Sequence, residues 1–394
     1  MILRKQYIAK LIALKDKQVI KVITGIRRVG KSTLLELFKE YLLSNGVSEN
    51  NIISISFDML DNRNLLDYIE LYKYIADKLN PNEMNYVFLD EIQEVKNFQK
   101  TVNSLFAKKN VDLYITGSNA YLFSSELATL LSGRYIEIKM LPFSFKEYYS
   151  FVKGDKKEAF WKYFQNGGFP YVSQIKDEEA RRDYLEGVFN TVIIKDVLNR
   201  KSILDINVFY SLVRYLMNNI GNIVSIKKIA DSLKTFGYNT TPTTIGNYID
   251  ALKEAFVFYK AERYDVRGKE LLRSLEKYYL VDLGFLRAMF KENRSNIGFG
   301  LENIIYLELL RRGYKVMIGK IGDNEVDFIA EKEDERIYFQ VAYSVLDPST
   351  FAREIAPLKR IRDNYPKYIL SLDDYPMYEG GIKTINIIDF LLQE

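Results

Sequence analysis

The sequence predicts an α/β protein in which a buried, parallel five-stranded sheet is followed by helices and by two smaller units. Three observations support this. Apolar runs alternate with helical patterns up to about residue 140, strand-like runs then stop after Pro142, and a new alternation begins near Ser225. At a prior of roughly 150 residues per domain, the 394-residue chain has room for more than one domain. We expect boundaries that give the ranges 1–142, 143–216, 217–297 and 298–394.

The strands of the first sheet are short and almost continuously apolar. Such runs are typical of strands that are covered by helices on both faces, as in parallel sheets. They are VIKVIT (19–24), IISISFD (52–58), YVFLD (86–90), DLYIT (112–116) and YIEIKM (135–140).

The remaining ranges have different patterns. Residues 143–216 predict helices, interrupted by a turn at NGGFP (166–170). Two short helices, SIKKIADSL and PTTIGNYIDALKEAF, meet near Gly237 and precede the strand VFYKAERY, a pattern that predicts a helix-turn-helix with a wing. From Gly298 the order helix, three strands, helix and strand predicts a separate small α/β unit.

The composition excludes several kinds of chemistry. The chain has no His and no Cys, so it has no Ser/His/Asp or Cys/His catalytic groups, no His or Cys zinc ligands and no disulfides. The net charge of +4 is too small to identify a nucleic-acid binder. No secretory signal and no apolar run of roughly 18 residues is present, so we predict a cytoplasmic protein with no membrane contact.

The segment GIRRVGKS (25–32) fits the pattern GxxxxGK[ST]. It lies between a predicted strand and the amphipathic helix TLLELFKEYLL, where backbone N–H groups and the helix dipole favour phosphate. Lys31 would reach the β and γ phosphates and Ser32 would bind Mg²⁺. The alternative is a glycine turn before a core helix. The predicted nucleotide-binding residues are Gly25, Ile26, Arg27, Arg28, Val29, Gly30, Lys31, Ser32 and Thr33.

A second motif places two carboxylates at the end of a buried strand. In YVFLDE (86–91), Asp90 would hold Mg²⁺ and Glu91 would act as general base toward the attacking water. If both strands are parallel, the motif lies at the same sheet edge as the glycine-rich loop. An exposed acidic turn is the alternative.

With these two motifs the sequence resembles the AAA-type P-loop ATPases, in which they are called Walker A and Walker B. GIRRVGKST, FLDEIQEV, TGSNA, LSGRYIEIKMLPFSFKEY and GGFP look like a widespread prokaryotic group of this family, over most of the chain from about Val19. The resemblance implies binding and hydrolysis of ATP with Mg²⁺.

The resemblance also implies further site residues. Asn119, after the strand DLYIT, would orient water or sense the γ-phosphate, and Arg134 would be an arginine finger supplied in cis or by a neighbouring subunit. The helices after Phe143 would form a lid, from which Arg200 could contact phosphate. The alternative for Asn119 is a polar turn residue, for Arg134 a surface arginine in an ion pair, and for Arg200 a solvated helix face.

The predicted winged helix offers a possible surface for duplex DNA. Its outward hydroxyl, amide and cationic side chains would be Thr243, Thr244, Asn247, Lys253, Arg263, Arg267 and Lys269. Acidic residues are interleaved with them: Asp250, Glu254, Glu262 and Asp265. Contact with other proteins is therefore the alternative use.

The last range resembles the restriction-endonuclease-like PD-(D/E)xK fold. Glu302 lies on the leading helix, Asp327 in EVDFIA, and Gln340 and Ala342 where Glu-x-Lys is expected. Ala342 removes the lysine, which Lys359 or Tyr343 would have to replace. A fold retained for binding or stability is preferred over a nuclease.

The leading interpretation is an AAA-type ATPase coupled to a C-terminal half that is a candidate for DNA binding. A nucleotide-regulated, metal-dependent nuclease and a non-hydrolysing nucleotide-dependent interaction scaffold are the alternatives. A homo-oligomer is compatible with the resemblance.

Overall fold

The computed structural model describes residues 4–118, 133–198, 203–290 and 297–393. The chain divides into two compact units, one of Met1–Met140 with Glu254–Phe256 and one of Leu141–Lys253 with Val257–Glu394. Within the described residues, no helix is both long and apolar enough to cross a membrane.

The first unit contains a sheet of five parallel strands in the order β2-β3-β4-β1-β5. Each strand overlaps one of the five apolar runs, so the predicted parallel sheet is confirmed. The strands are β1 (Ile20–Thr24), β2 (Ile52–Ser56), β3 (Asn85–Asp90), β4 (Val111–Gly117) and β5 (Tyr135–Lys139).

Helices pack on this sheet and leave one edge for the site. They are α1 (Lys5–Leu14), α2 (Lys31–Ser44), α3 (Tyr68–Lys78) and α4 (Phe98–Phe106). Asp67 caps α3 by accepting the N–H groups of Ile69 and Glu70. Because all five strands are parallel, their carboxyl ends lie at the same edge, and Thr24, Ser56 and Asp90 end there together.

The second unit begins with helices, as predicted, and continues with a mixed sheet. The helices are α5 (Phe145–Val152), α6 (Lys156–Asn166), α7 (Glu178–Val192), α8 (Ile206–Asn218), α9 (Ile226–Thr235), α10 (Pro242–Glu254), α11 (Gly284–Met289), α12 (Ile297–Arg311), α13 (Pro348–Lys359) and α14 (Ile387–Leu392). A π-helical turn at Ile193–Leu198 extends α7.

The strands of the second unit form one sheet of nine, in the order β13-β14-β12-β11-β10-β9-β7-β8-β6. They are β6 (Ile223–Val224), β7 (Phe258–Asp265), β8 (Glu270–Leu280), β9 (Lys315–Ile321), β10 (Asn324–Lys332), β11 (Glu335–Val341), β12 (Lys367–Ser371), β13 (Tyr378–Glu379) and β14 (Ile382–Asn386).

This sheet crosses the boundary predicted at residue 297. The sequence predicted a separate unit from Gly298, but β9 pairs in parallel with β7, so one sheet joins the ranges 217–297 and 298–394. Apolar runs do not identify which strands are neighbours in a sheet, so this pairing could not be predicted from the residues alone.

The NGGFP turn is held by a buried carboxylate. Asp282 accepts hydrogen bonds from the backbone N–H groups of Gly168 (2.7 Å) and Gly284 (2.8 Å). Gly167 has φ 77°, and a Cβ there would lie 1.7 Å from Asp282 Oδ1, so only glycine fits. Burial raises the pKa of Asp282 to about 7, although both backbone hydrogen bonds and the charge of Arg311 act to lower it.

Candidate functional site

The loop between β1 and α2 closes tightly over the sheet edge. Gly25 has φ 145°, and a Cβ there would lie 2.3 Å from the carbonyl oxygen of Met140, so a larger residue would displace the loop. The helix α2 begins at Lys31, directly after Gly30. Its first N–H groups and its dipole therefore point toward the loop, and Ser32 and Thr33 are exposed there.

Lys31 is buried beneath this loop and has three oxygen partners. Its Nζ donates hydrogen bonds to the carbonyl oxygens of Gly25 (3.1 Å) and Ile26 (3.4 Å). The same Nζ lies 3.2 Å from Glu91 Oε1, with both side chains almost fully buried. The structure therefore brings two of the four predicted catalytic residues, Lys31 and Glu91, into one ion pair.

Glu91 has an unusual backbone conformation and a perturbed carboxylate. Its φ of 54° is left-handed, which is uncommon for a residue other than glycine and is often found at functional sites. Burial alone would raise the pKa of Glu91. The charges of Lys31 and Arg27 and a hydrogen bond from Gln93 outweigh burial, and the pKa lies below its ordinary value. Glu91 is thus a carboxylate at neutral pH.

Asp90 is fixed by hydroxyl groups from the two neighbouring strands. Thr116 Oγ1 on β4 donates to Asp90 Oδ1 (2.6 Å) and accepts the N–H of Glu91 (2.8 Å). Ser56 Oγ at the end of β2 donates to Asp90 Oδ2 (3.2 Å). Sequence reasoning missed both hydroxyl residues. The signal that could have identified them is their position at the carboxyl ends of β2 and β4, the strands that flank β3.

Of the remaining predicted residues of this site, Arg134 lies away from the glycine-rich loop. Arg134 directly precedes β5, and its carbonyl oxygen accepts the N–H of Ile20, the first residue of β1. The glycine-rich loop follows Thr24, roughly 13 Å away along the strand. Arg134 is therefore at the opposite end of the parallel strands from the loop, and its role as an arginine finger stays a prediction. Asn119 and Arg200 lie outside the described residues.

The two short helices and the strand on which the winged-helix prediction rests are present as α9, α10 and β7, and β6 and β7 each pair antiparallel with β8. Thr243 and Asn247 are exposed on α10. Arg263 lies in β7, the predicted strand, between β8 and β9. Arg267 and Lys269 are exposed in the β7–β8 turn, where Asp265 accepts the N–H of Arg267.

Acidic partners reduce the positive charge of this surface. Lys253 forms an ion pair with Asp250 at 2.8 Å. Lys260 pairs with Glu276 at 2.9 Å and with Glu262 at 3.4 Å. The exposed cations of the turn are therefore the better candidates for contacts with phosphate.

The residues predicted for a nuclease site lie near one another, but neither proposed substitute for the lysine reaches them. Glu302, Asp327 and Gln340 are all buried in the second unit. Lys359 is ion-paired with Glu379 on the outside of α13. Tyr343 is 53% exposed, and Ala342 packs in the apolar core.

The fold and the loop geometry define the first unit as a domain of the AAA-type P-loop class. In agreement, a family model described as an AAA domain matches residues 17–149. A second model, described as a domain of unknown function, matches residues 157–296.

Whole-chain relatives show the family. An uncharacterised protein of Haemophilus influenzae is 40% identical over 400 residues, covering 100% of this chain and 99% of the relative. The uncharacterised protein MJ1544 of Methanocaldococcus jannaschii is 32% identical, covering 87% of this chain and 79% of the relative. The chain belongs to the same family as these proteins.

A solved structure shares the fold. The Walker-type ATPase PABY2304 of Pyrococcus abyssi aligns with a TM-score of 0.52 at 17% identity, covering 73% of this chain and 96% of that chain.

Proposed function

We propose that the first unit binds Mg·ATP at the glycine-rich loop and hydrolyses it with Glu91 as general base. The observation that carries this proposal is the ion pair of Lys31 and Glu91 beneath the glycine-rich loop, whose close packing requires glycine at position 25. This ion pair places a phosphate-binding cation and an ionised carboxylate together at one edge of the sheet. The likeness to a Walker-type ATPase supports the same reaction.

The donor set fits the two groups that the proposal requires. Backbone N–H groups at the start of α2 and the Lys31 ammonium suit phosphate oxygens, while the Ser32 hydroxyl and the Asp90 carboxylate are hard oxygen ligands. Mg²⁺ bound with the nucleotide would neutralise charge on the phosphates, and Ser32 and Asp90 would hold it.

Thr116 and Ser56 keep Asp90 in place by hydrogen bonds to both carboxylate oxygens. Thr116 also holds the N–H of Glu91, so one hydroxyl positions both acidic residues. Glu91 would accept a proton from the attacking water at an oxygen of its side chain. Before nucleotide binds, its lowered pKa keeps that oxygen ionised at neutral pH.

Nucleotide binding has to rearrange the ion pair. Lys31 now donates to two loop carbonyls and faces Glu91, and the same ammonium is required for the β and γ phosphates. When Lys31 donates its hydrogen bonds to phosphate oxygens, Glu91 loses its main cationic partner. Its carboxylate can then accept a hydrogen bond from water. ATP itself would thereby prepare the base.

The direct test is ATP binding by the full-length protein, measured by fluorescence with a labelled nucleotide. Lys31→Ala removes the cation that faces phosphate and is expected to weaken binding by about a hundredfold. Binding that survives this substitution would refute the assignment of the site. The matched control is Lys39→Ala on the outer part of α2, where the lysine pairs with Glu36 at 2.7 Å.

We also propose contact of the second unit with duplex DNA through the winged-helix-like elements α8 to β8. The exposed side chains of α10 and the cations of the β7–β8 turn favour this use. A salt-sensitive mobility shift with duplex DNA would support it. A protein partner is the alternative, and binding unchanged by Arg267→Ala with Lys269→Ala would contradict the DNA version.

The roles of the helical segment and of Arg134, the oligomeric state and the location of the protein are also proposals. Residues 143–216 would form the lid of the nucleotide site, and Arg134 would act only if it reached a neighbouring subunit of a homo-oligomer. A cytoplasmic location also stays a prediction.

A further inference from the structure

The second unit buries a lysine among carboxylates that come from two other elements. Lys277 on β8 lies 2.6 Å from Glu325 Oε1 on β10 and 3.3 Å from Glu302 Oε2 on α12. Asp327 follows on β10, close enough to Glu302 and Lys277 to feel both charges. Lys277, Glu302 and Asp327 are each less than one tenth exposed. We call these four residues the Lys277 cluster.

The oxygens that a metal would use in a nuclease-like site have other partners. Asp327 Oδ2 accepts the N–H of Val341 (2.8 Å). Gln340 Oε1 accepts the N–H of Asp327 (2.7 Å), and Gln340 Nε2 donates to Glu354 (3.0 Å). The amide oxygen that replaces the expected glutamate is therefore occupied by the backbone of the strand beside it.

The residues do not fit the divalent cation that the nuclease-like resemblance implies. Throughout residues 4–118, 133–198, 203–290 and 297–393, no group of three or more acidic side chains is placed to hold a metal ion. The Lys277 ammonium stands where Glu302 and Glu325 converge, and its charge repels a divalent ion. Tyr279 OH donates a further hydrogen bond to Glu302 Oε2 (3.2 Å).

We propose that Lys277 replaces the metal of a nuclease-like site with a cation built into the chain. The ammonium reaches the carboxylates from β8, a strand that the nuclease-like elements α12 to β12 do not include. The second unit is then a fixed, metal-independent framework that does not cleave phosphodiesters.

The charges of the cluster agree with this role. Burial alone would lower the pKa of Lys277, but Glu302, Asp327 and Glu325 raise it above its ordinary value, so the ammonium stays charged. Burial, together with the charge of Glu302, raises the pKa of Asp327 well above its ordinary value. One lysine faces more carboxylates than its single charge can neutralise. Their combined charge holds the Lys277 ammonium within the cluster.

The test replaces Lys277 in the full-length protein, without nucleotide, in an Asp90→Asn background that removes the carboxylate of the other site. Lys277→Met keeps the length of the side chain and removes its charge. We expect this variant to melt at a lower temperature in EDTA and to gain roughly 5 °C or more with millimolar Mn²⁺. The same protein with Lys277 intact should not respond to Mn²⁺. Adding Asp327→Asn to Lys277→Met should abolish the gain.

A Mn²⁺-dependent gain in the protein with Lys277 intact, or no gain in Lys277→Met, would overturn the proposal. If Lys277→Met does not fold in EDTA or in Mn²⁺, the proposal is tested in protein that retains Lys277, by measuring Mn²⁺ binding with electron paramagnetic resonance. Equal Mn²⁺ binding by this protein and by its Asp327→Asn variant supports the proposal. Binding that Asp327→Asn removes overturns it, as does Mn²⁺-dependent cleavage of duplex or single-stranded DNA that the same substitution abolishes.

Discussion

The two compact units each bury a lysine against carboxylates, but they do so in opposite ways. Lys31 faces one carboxylate, Glu91, and two backbone carbonyls beneath a glycine-rich loop. Lys277 faces Glu302 and Glu325 directly and lies in the field of Asp327. When phosphate replaces its oxygen partners, the first lysine leaves one buried carboxylate, Glu91, whereas loss of the second would leave several buried charges unpaired.

The carboxylates of the two regions differ accordingly. The pKa of Glu91 lies below its ordinary value because the Lys31 charge outweighs burial. The pKa values of Glu302 and Asp327 lie above theirs because burial outweighs a shared lysine. The ratio of cations to carboxylates, more than burial, accounts for the opposite directions of the pKa shifts in the two regions.

The largest expected effect concerns Glu91. Glu91→Gln removes the base and should lower the rate of ATP hydrolysis by about a hundredfold to a thousandfold. ATP should bind several-fold more tightly, because Lys31 no longer has to leave an ion pair. Steady-state turnover and equilibrium binding measure both effects.

The control for this variant is Glu94→Gln, the same substitution at an exposed position of the same segment. It should change neither quantity. Turnover by Glu91→Gln equal to that of the wild type would favour the non-hydrolysing scaffold.

Asp282 extends the comparison to a buried carboxyl with no lysine. Its pKa of about 7 in the folded protein exceeds the ordinary value of 3.8. Between pH 3.8 and pH 7, the folded protein therefore keeps a proton on Asp282 that the unfolded chain has released. Its contribution to stability is complete below about pH 4 and is lost as the pH rises to about 7.

Asp282→Asn should therefore flatten the fall in the free energy of unfolding over this range, by an amount on the order of a few kcal/mol. Urea titrations at several pH values measure it. A pH dependence equal to that of the wild type would show that Asp282 is ionised in the folded protein.

Thr116 tests whether the acidic pair needs its hydroxyl anchor. Thr116→Val keeps the shape and removes the hydrogen bond to Asp90, and it should lower turnover roughly tenfold. Thr101→Val is the matched control, since the hydroxyl of Thr101 on α4 donates to the carbonyl of Tyr68 on α3. Equal losses in both variants would reduce Thr116 to a packing residue.

The smallest expected effect concerns DNA. Arg267→Ala with Lys269→Ala should weaken binding of duplex DNA by severalfold and lower the salt dependence by about two phosphate contacts. Mobility shifts at several salt concentrations measure both quantities. An unchanged salt dependence would place the DNA contact, if any, on another surface.

The sequence predicted the first unit well and the second unit in part, for physical reasons. Buried parallel strands form continuous apolar runs, so the five strands and the converging ends near Lys31 and Asp90 could be located in advance. Arg134 was assigned to the site although it precedes its strand. The direction of the strand alone would have placed it at the opposite edge.

Lys277 could not be found in the same way. It lies 50 residues before Asp327, in the range 217–297 that was predicted to be a separate unit. Only the parallel pairing of β7 with β9 brings that strand into the same sheet as β10. Likewise, the hydroxyls of Thr116 and Ser56 became recognisable only through the strand order, because nothing in their own sequence marks them.

ATP affinity, measured side by side for Lys31→Met and Lys277→Met in the full-length protein, tests the central claim most directly. The two lysines belong to different compact units, and only Lys31 lies beneath the glycine-rich loop. We expect Lys31→Met to weaken ATP binding by about a hundredfold and the folded Lys277→Met protein to bind within about threefold of the wild type. Retained binding in Lys31→Met, or a comparable loss in both variants, would contradict the account.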